Sequence, residues 1–152
     1  MGQHALTLLD SLTVKNKIPM SSSILRDKSF VFAILIIRLV QNLQVRKKEY
    51  ILSKQILKSG TSIGTQLEES EFAASHADFI NKLTVALKEA NETKYWLRLL
   101  TTGGYISDQQ FEEMLHDCKE IIAMLVSSLN TLKKNKKSLR NILLSLFSVF
   151  NF

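Results

Sequence analysis

Glu113-Met114-Leu115-His116 has the Glu-x-x-His spacing with which a carboxylate and an imidazole meet a di-metal centre inside a helical bundle. Such a centre takes that pairing from two helices and further carboxylates from two others. Here the pairing has no counterpart on a second helix, and the acidic group Glu68, Glu69 and Glu71 has no histidine at matching spacing. Solvated surface charge is the expected role of these residues. His4, His76 and His116 form no pair at metal-ligand spacing, and Cys118 follows His116 by two positions, which points the two to different sides of a helix. Cys118 is the single cysteine, so no intramolecular disulfide is expected, and a reducing cytoplasm fits. It lies on an apolar stripe and is expected to be a small core residue. Gly60 to Gly64 lacks the Lys-Ser/Thr ending of a phosphate loop, and no His/Asp arrangement supports a serine nucleophile. The chain is therefore read as non-enzymatic, with no catalytic residue, metal or cofactor.

The residues left with functional chemistry are basic. Arg46, Lys47 and Lys48 are expected at one end of the fold, with Lys54 and Lys58 one helical turn apart beside them. Lys133, Lys134, Lys136, Lys137 and Arg140 are expected at the other end, beside Arg26 and Lys28. The net charge of +6 hides a segregation: residues 26–58 carry +6, residues 59–132 carry −6, and residues 133–140 hold five cations and no acid. These clusters are the candidate contacts to the phosphate backbone of RNA or DNA. No groove-reading motif or stacking platform suggests reading of base sequence.

The elements that position them follow from periodicity. Phe79, Leu83, Ala86, Ala90, Thr93, Leu97 and Leu100 are spaced by fours and threes, and so are Phe111, Leu115, Cys118, Ile122, Leu125, Leu129 and Leu132. Gly103-Gly104 joins these two helices. Ser75 with Asp78 and Ser107 with Gln110 have the spacing of helix caps, and Ile106 can staple onto Phe111. Two earlier helices are expected over about residues 27–45 and 49–72, joined at Arg46-Lys47-Lys48. Gly60 and Gly64 inside the second predict close backbone approach by a neighbour. A single proline and 152 residues in all favour one domain of long helices. Short connections predict an all-α, antiparallel up-down-up-down four-helix bundle over residues 26–137. Residues 1–25 read as a disordered leader, with Met20 an alternative start. Residues 138–152 read as a short amphipathic C-terminal helix.

The first helix is apolar on nearly every side, so more than its own bundle must cover it. A homo-oligomer with Phe30, Val31, Phe32, Leu35 and Ile36 at the interface is expected; the leader or the tail folded over this helix is the alternative. The apolar run Phe30 to Ile37 is too short to span a bilayer. Lys133 to Lys137 followed by Leu139 to Phe152 resembles a basic-then-apolar surface anchor, but packing of this tail on its own bundle or on a neighbouring copy is preferred, and no membrane partner is expected.

Residues Ser53 to Ser70, SKQILKSGTSIGTQLEES, together with Ala77-Asp78-Phe79-Ile80, Ala86-Leu87-Lys88-Glu89-Ala90 and Glu92-Thr93-Lys94-Tyr95-Trp96-Leu97, resemble the bacterial four-helix-bundle family of 23S rRNA-intervening sequence proteins. That family is similar to the accessory variability determinant protein of diversity-generating retroelements. The resemblance implies a homopentamer with a non-enzymatic role, binding nucleic acid and, in that relative, a reverse transcriptase. Gln66 departs from the Asn usual in the family, and the first helix is more apolar than is usual there. A purely structural or protein-interaction module without nucleic acid is the alternative.

Overall fold

The computed structural model describes residues 24–150, which form four helices: α1 (Ile24–Lys47), α2 (Leu52–Ser70), α3 (His76–Thr102) and α4 (Asp108–Phe150). No strand occurs among the described residues. Asn135, Lys136, Leu139 and residues 142–150 are described by their backbone alone. Residues 1–23, with His4, Met20 and nearly all of the expected leader, lie outside the described residues.

Side-chain register shows the chain direction. Ser29 and Ile36 of α1 approach Gly64 and Gly60 of α2, so one helix ascends as the other descends. Thr93 Oγ1 donates to Ser59 Oγ at 2.9 Å, and Lys82 pairs with Glu69 at 2.5 Å, so α2 and α3 are antiparallel as well. Cys118 Sγ donates to the Ala90 carbonyl at 3.3 Å across α3 and α4, and Lys28 pairs with Glu120 at 2.7 Å across α1 and α4. Each helix packs chiefly on its two neighbours around the ring, which is the expected up-down-up-down bundle.

The predicted stripes form its core. Leu83, Ala86, Ala90, Leu97 and Leu100 of α3 face Cys118, Leu125 and Leu129 of α4, where Ile121 is buried and the expected Ile122 only partly so, and α1 and α2 complete it with Phe32, Ile36, Leu43, Ile56, Ile63 and Leu67. By length and composition α1 is long and apolar enough to cross a membrane, a test that the core helix of a soluble bundle also passes. Its own stripe of Phe32, Ile36, Leu39, Val40 and Leu43 is buried in the bundle.

Local chemistry sets the helix ends. Ser75 Oγ accepts from the Asp78 amide while Asp78 accepts from the Ala74 amide. At α4 the cap is reciprocal: Ser107 Oγ accepts from the Gln110 amide and Gln110 Oε1 accepts from the Ser107 amide. Of the glycine pair, Gly103 stays helical and Gly104 takes φ 73°, with the Tyr105 amide closing on the Leu100 carbonyl at 2.9 Å. A Cβ at Gly104 meets open space but keeps the left-handed backbone cost, so Gly104→Ala is expected to lower unfolding free energy by about 1 kcal/mol. Thermal denaturation followed by circular dichroism measures this.

Three expectations are corrected. α1 begins at Ile24, two residues inside the span read as leader, because Leu25 is buried in the core. The short fifth helix is not a separate element: α4 continues without a break to Phe150. No Gly or Pro lies between Lys133 and Phe150, so nothing terminates the helix there. Phe32 and Ile36, expected between copies, are 1 % and 0 % exposed inside their own bundle, and Leu35 packs partly against the core. Of the expected set Phe30 and Val31 stay exposed, and Ile37 joins them to form the exposed apolar ridge of α1.

Candidate nucleic-acid interface

Glu49 builds the basic end of the bundle. α1 stops at Lys47, and Lys48 turns the chain with φ 54°, a conformation that costs a side-chain-bearing residue about 1 kcal/mol. The Glu49 carboxylate offsets that cost by closing the first turn of α2. Its Oε1 accepts from the amides of Ile51 at 2.8 Å and Leu52 at 2.7 Å, and its Oε2 accepts from the Ser53 amide at 2.6 Å. Burial alone would raise the Glu49 pKa; the amides of Leu52, Ser53 and Ile51 outweigh it and hold the carboxyl below the ordinary glutamate value. The single acid in this turn is thus buried and directed at backbone, and Arg46, Lys47 and Lys48 around it are exposed.

Lys54 and Lys58 extend this cluster along the exposed side of α2. Because Ser59 stands opposite Thr93, antiparallel register brings the exposed Arg98 of α3 to the level of Lys54. Arg98 belongs to no basic run in sequence, and the register gives its height along the bundle only, not a place on the face of Lys54. None of these six cations forms a salt bridge among the described residues, although Glu89 draws on Lys58 through space.

The other basic end divides in two. Arg26 is buried and paired with Glu71, and Lys28 is held by Glu120, so both serve packing between helices. Lys133, Lys134, Lys137 and Arg140 are exposed on the continuation of α4; the side chain of Lys136 lies outside the described residues. The two basic clusters stand roughly a bundle length apart, about 35 Å at about 1.5 Å per residue, and are not one surface.

The acidic and thiol candidates have structural roles. Glu69 and Glu71 pair with Lys82 and Arg26. Cys118 is fully buried, and burial pushes its thiol up to about 11, far from a nucleophile's range. His116 gathers with Asp117 and Glu120, not with Glu113, their ligand atoms lying within 4.8 Å of one another. Periodicity did not single out Asp117 and Glu120. Glu120 already accepts from Lys28 at 2.7 Å, so an ammonium stands where a cation would be drawn.

Comparison with known proteins agrees with this architecture. No curated protein matches the chain. A crystal structure of a protein with unknown function from the S23 ribosomal protein family of Bacteroides thetaiotaomicron is similar, with 51 % sequence identity and a TM-score of 0.69. The match covers 70 % of this chain and 98 % of that one. The profile of the 23S rRNA-intervening sequence protein family matches residues 22–127, the span from the start of α1 to near the middle of α4. With most of the bundle inside that match, the chain belongs to the 23S rRNA-intervening sequence protein family.

Proposed function

We propose that this bundle is a non-catalytic, cytoplasmic scaffold that assembles with copies of itself and binds a nucleic-acid backbone. The observation that carries the reading is the exposed group Arg46, Lys47, Lys48, Lys54 and Lys58, outside every salt bridge among the described residues. Cations retained for packing in this protein are paired, as Arg26, Lys28 and Lys82 are. An unpaired cluster at one bundle end is what phosphate attraction requires. The family's description names 23S rRNA, which favours structured RNA as the first polyanion to test.

Self-association uses the ridge of Phe30, Val31 and Ile37, three large apolar side chains that their own bundle leaves exposed. A pentamer is the number implied by the resemblance to the accessory variability determinant protein, and a reverse transcriptase is the protein partner that resemblance offers. Repetition of the cluster in an oligomer multiplies weak phosphate contacts. The same ridge supports the second reading, a protein-interaction module without nucleic acid.

Filter binding of structured RNA across a salt titration tests the proposal. Affinity is expected to fall steeply with salt, by roughly 0.7–0.9 log units per log unit of salt for each phosphate neutralised. Arg46→Ala, Lys47→Ala, Lys48→Ala, Lys54→Ala and Lys58→Ala combined are expected to flatten that slope and cost at least about a hundredfold at low salt. Absence of binding by the unaltered protein at low salt leaves the protein-interaction reading.

A further inference from the structure

We propose that the free end of α4 is a docking element for an anionic lipid surface. Among the described side chains of α4, Leu129 is the last buried core residue, and Leu132 is half-buried against the core. After it, every described side chain, from Lys133 and Lys134 through Lys137, Ser138, Arg140 and Asn141, is exposed. A pocket of about 530 Å³ brings Thr131 and Leu132 together with Leu25, Ser70 and Phe79, where α1 begins, α2 ends and α3 begins. The helix continues past that level from Lys133 to Phe150, about 27 Å at about 1.5 Å per residue. Its continuity with the bundle portion of α4 removes the alternative in which this segment folds back onto its own bundle.

The extension has two parts in sequence. Residues 133–140 hold five cations and no acid. From Asn141 to Phe152 there is no charged residue, and Leu139, Ile142, Leu143, Leu146, Phe147 and Phe150 recur at helical spacing. The occupant must suit both parts. A nucleic-acid strand satisfies the cations and offers nothing to the apolar part. A second copy of the extension covers the apolar part but brings two acid-free cationic runs together, which repel. An anionic bilayer accepts both, with cations among its headgroups and the apolar end in its acyl chains.

Length agrees with that placement. The helical residues from Asn141 to Phe150 span about 15 Å, half of a hydrocarbon core of about 30 Å, so the end enters one leaflet and does not cross. A basic patch joined to an apolar insert is the two-signal combination that stable anchoring needs. The family match ends at residue 127, before the extension begins. It is independent of the Arg46–Lys48 cluster at the opposite end.

Co-sedimentation of the full chain with phosphatidylcholine vesicles, with and without phosphatidylserine, tests the proposal. Binding to the anionic vesicles is expected, at least about tenfold stronger than to neutral ones. Lys133→Gln, Lys134→Gln, Lys137→Gln and Arg140→Gln together are expected to lower partitioning about a hundredfold or more. Leu146→Ser with Phe147→Ser is expected to lower it at least about tenfold. Both variants should keep the thermal transition of the bundle, and Leu146→Ser with Phe147→Ser should also keep its RNA binding. Failure of the unaltered chain to sediment with anionic vesicles overturns the proposal. So does binding that survives Leu146→Ser with Phe147→Ser, since cations alone would then account for it. Vesicle binding without RNA binding supports the lipid surface while removing the nucleic-acid reading; RNA binding without vesicle binding does the reverse.

Discussion

Gly60→Ala is expected to lower unfolding free energy by about 1–2 kcal/mol, while Gly64→Ala, one turn away on the same helix, is expected to raise it by up to about 1 kcal/mol. Both substitutions gain the same helix propensity. They differ in what the added methyl meets. At Gly60 a Cβ would lie 2.7 Å from Ile36 Cγ1 and 3.0 Å from Cγ2, and Ile36 is fully buried, with no room to retreat. At Gly64 the nearest atom is Ser29 Oγ at 3.6 Å, an ordinary contact. Circular dichroism melts should separate the two variants by several degrees. Ile36→Ala supplies the control: alone it leaves a cavity costing about 2–5 kcal/mol, and the Gly60→Ala methyl then fills part of it. The double variant should therefore be more stable than the sum of the two single losses by about 1 kcal/mol or more. Strict additivity would show that Gly60 and Ile36 do not constrain each other.

Glu49→Ala is expected to cost about 2–3 kcal/mol at neutral pH, because three amides of the α2 first turn lose their acceptor. Glu49→Gln, which keeps one acceptor oxygen and loses the charge, is expected to cost about 1 kcal/mol. The pH dependence has a definite sign. The folded-state pKa of Glu49 is lowered, so its contribution is complete above the ordinary glutamate range and is lost as pH falls through the depressed folded value. The stability gap between the unaltered protein and Glu49→Gln should narrow as pH is lowered from neutrality toward about 3. A gap that stays constant over that range would mean the charge on Glu49 adds nothing. Since this carboxylate also fixes the turn that presents Arg46, Lys47 and Lys48, Glu49→Ala is expected to weaken RNA binding several-fold even where the protein remains folded.

Much of the architecture was legible because helices announce themselves locally. The α3 and α4 stripes, the Ser75 and Ser107 caps and the turn at Gly103-Gly104 each depend on residues within a few positions of one another. The resemblance carried in residues 53–70 pointed to the family that the profile match identifies. The site was less legible. Arg26 and Lys28 read as cations of a basic patch, yet Glu71 and Glu120 neutralise them from helices far away in sequence.

Helix identity, order and the inward face of three helices were determined by the sequence alone, because hydrophobic periodicity and capping act over one or two turns. Tertiary structure decided which side of α1 faces inward. Eight consecutive apolar residues carry no phase, so the contact of Ile36 with Gly60 selects Phe32 and Ile36 for the core and leaves Phe30, Val31 and Ile37 outside. It decided equally that α4 runs on past the bundle, because a break that no glycine or proline enforces depends on whether the segment has a surface to fold back onto.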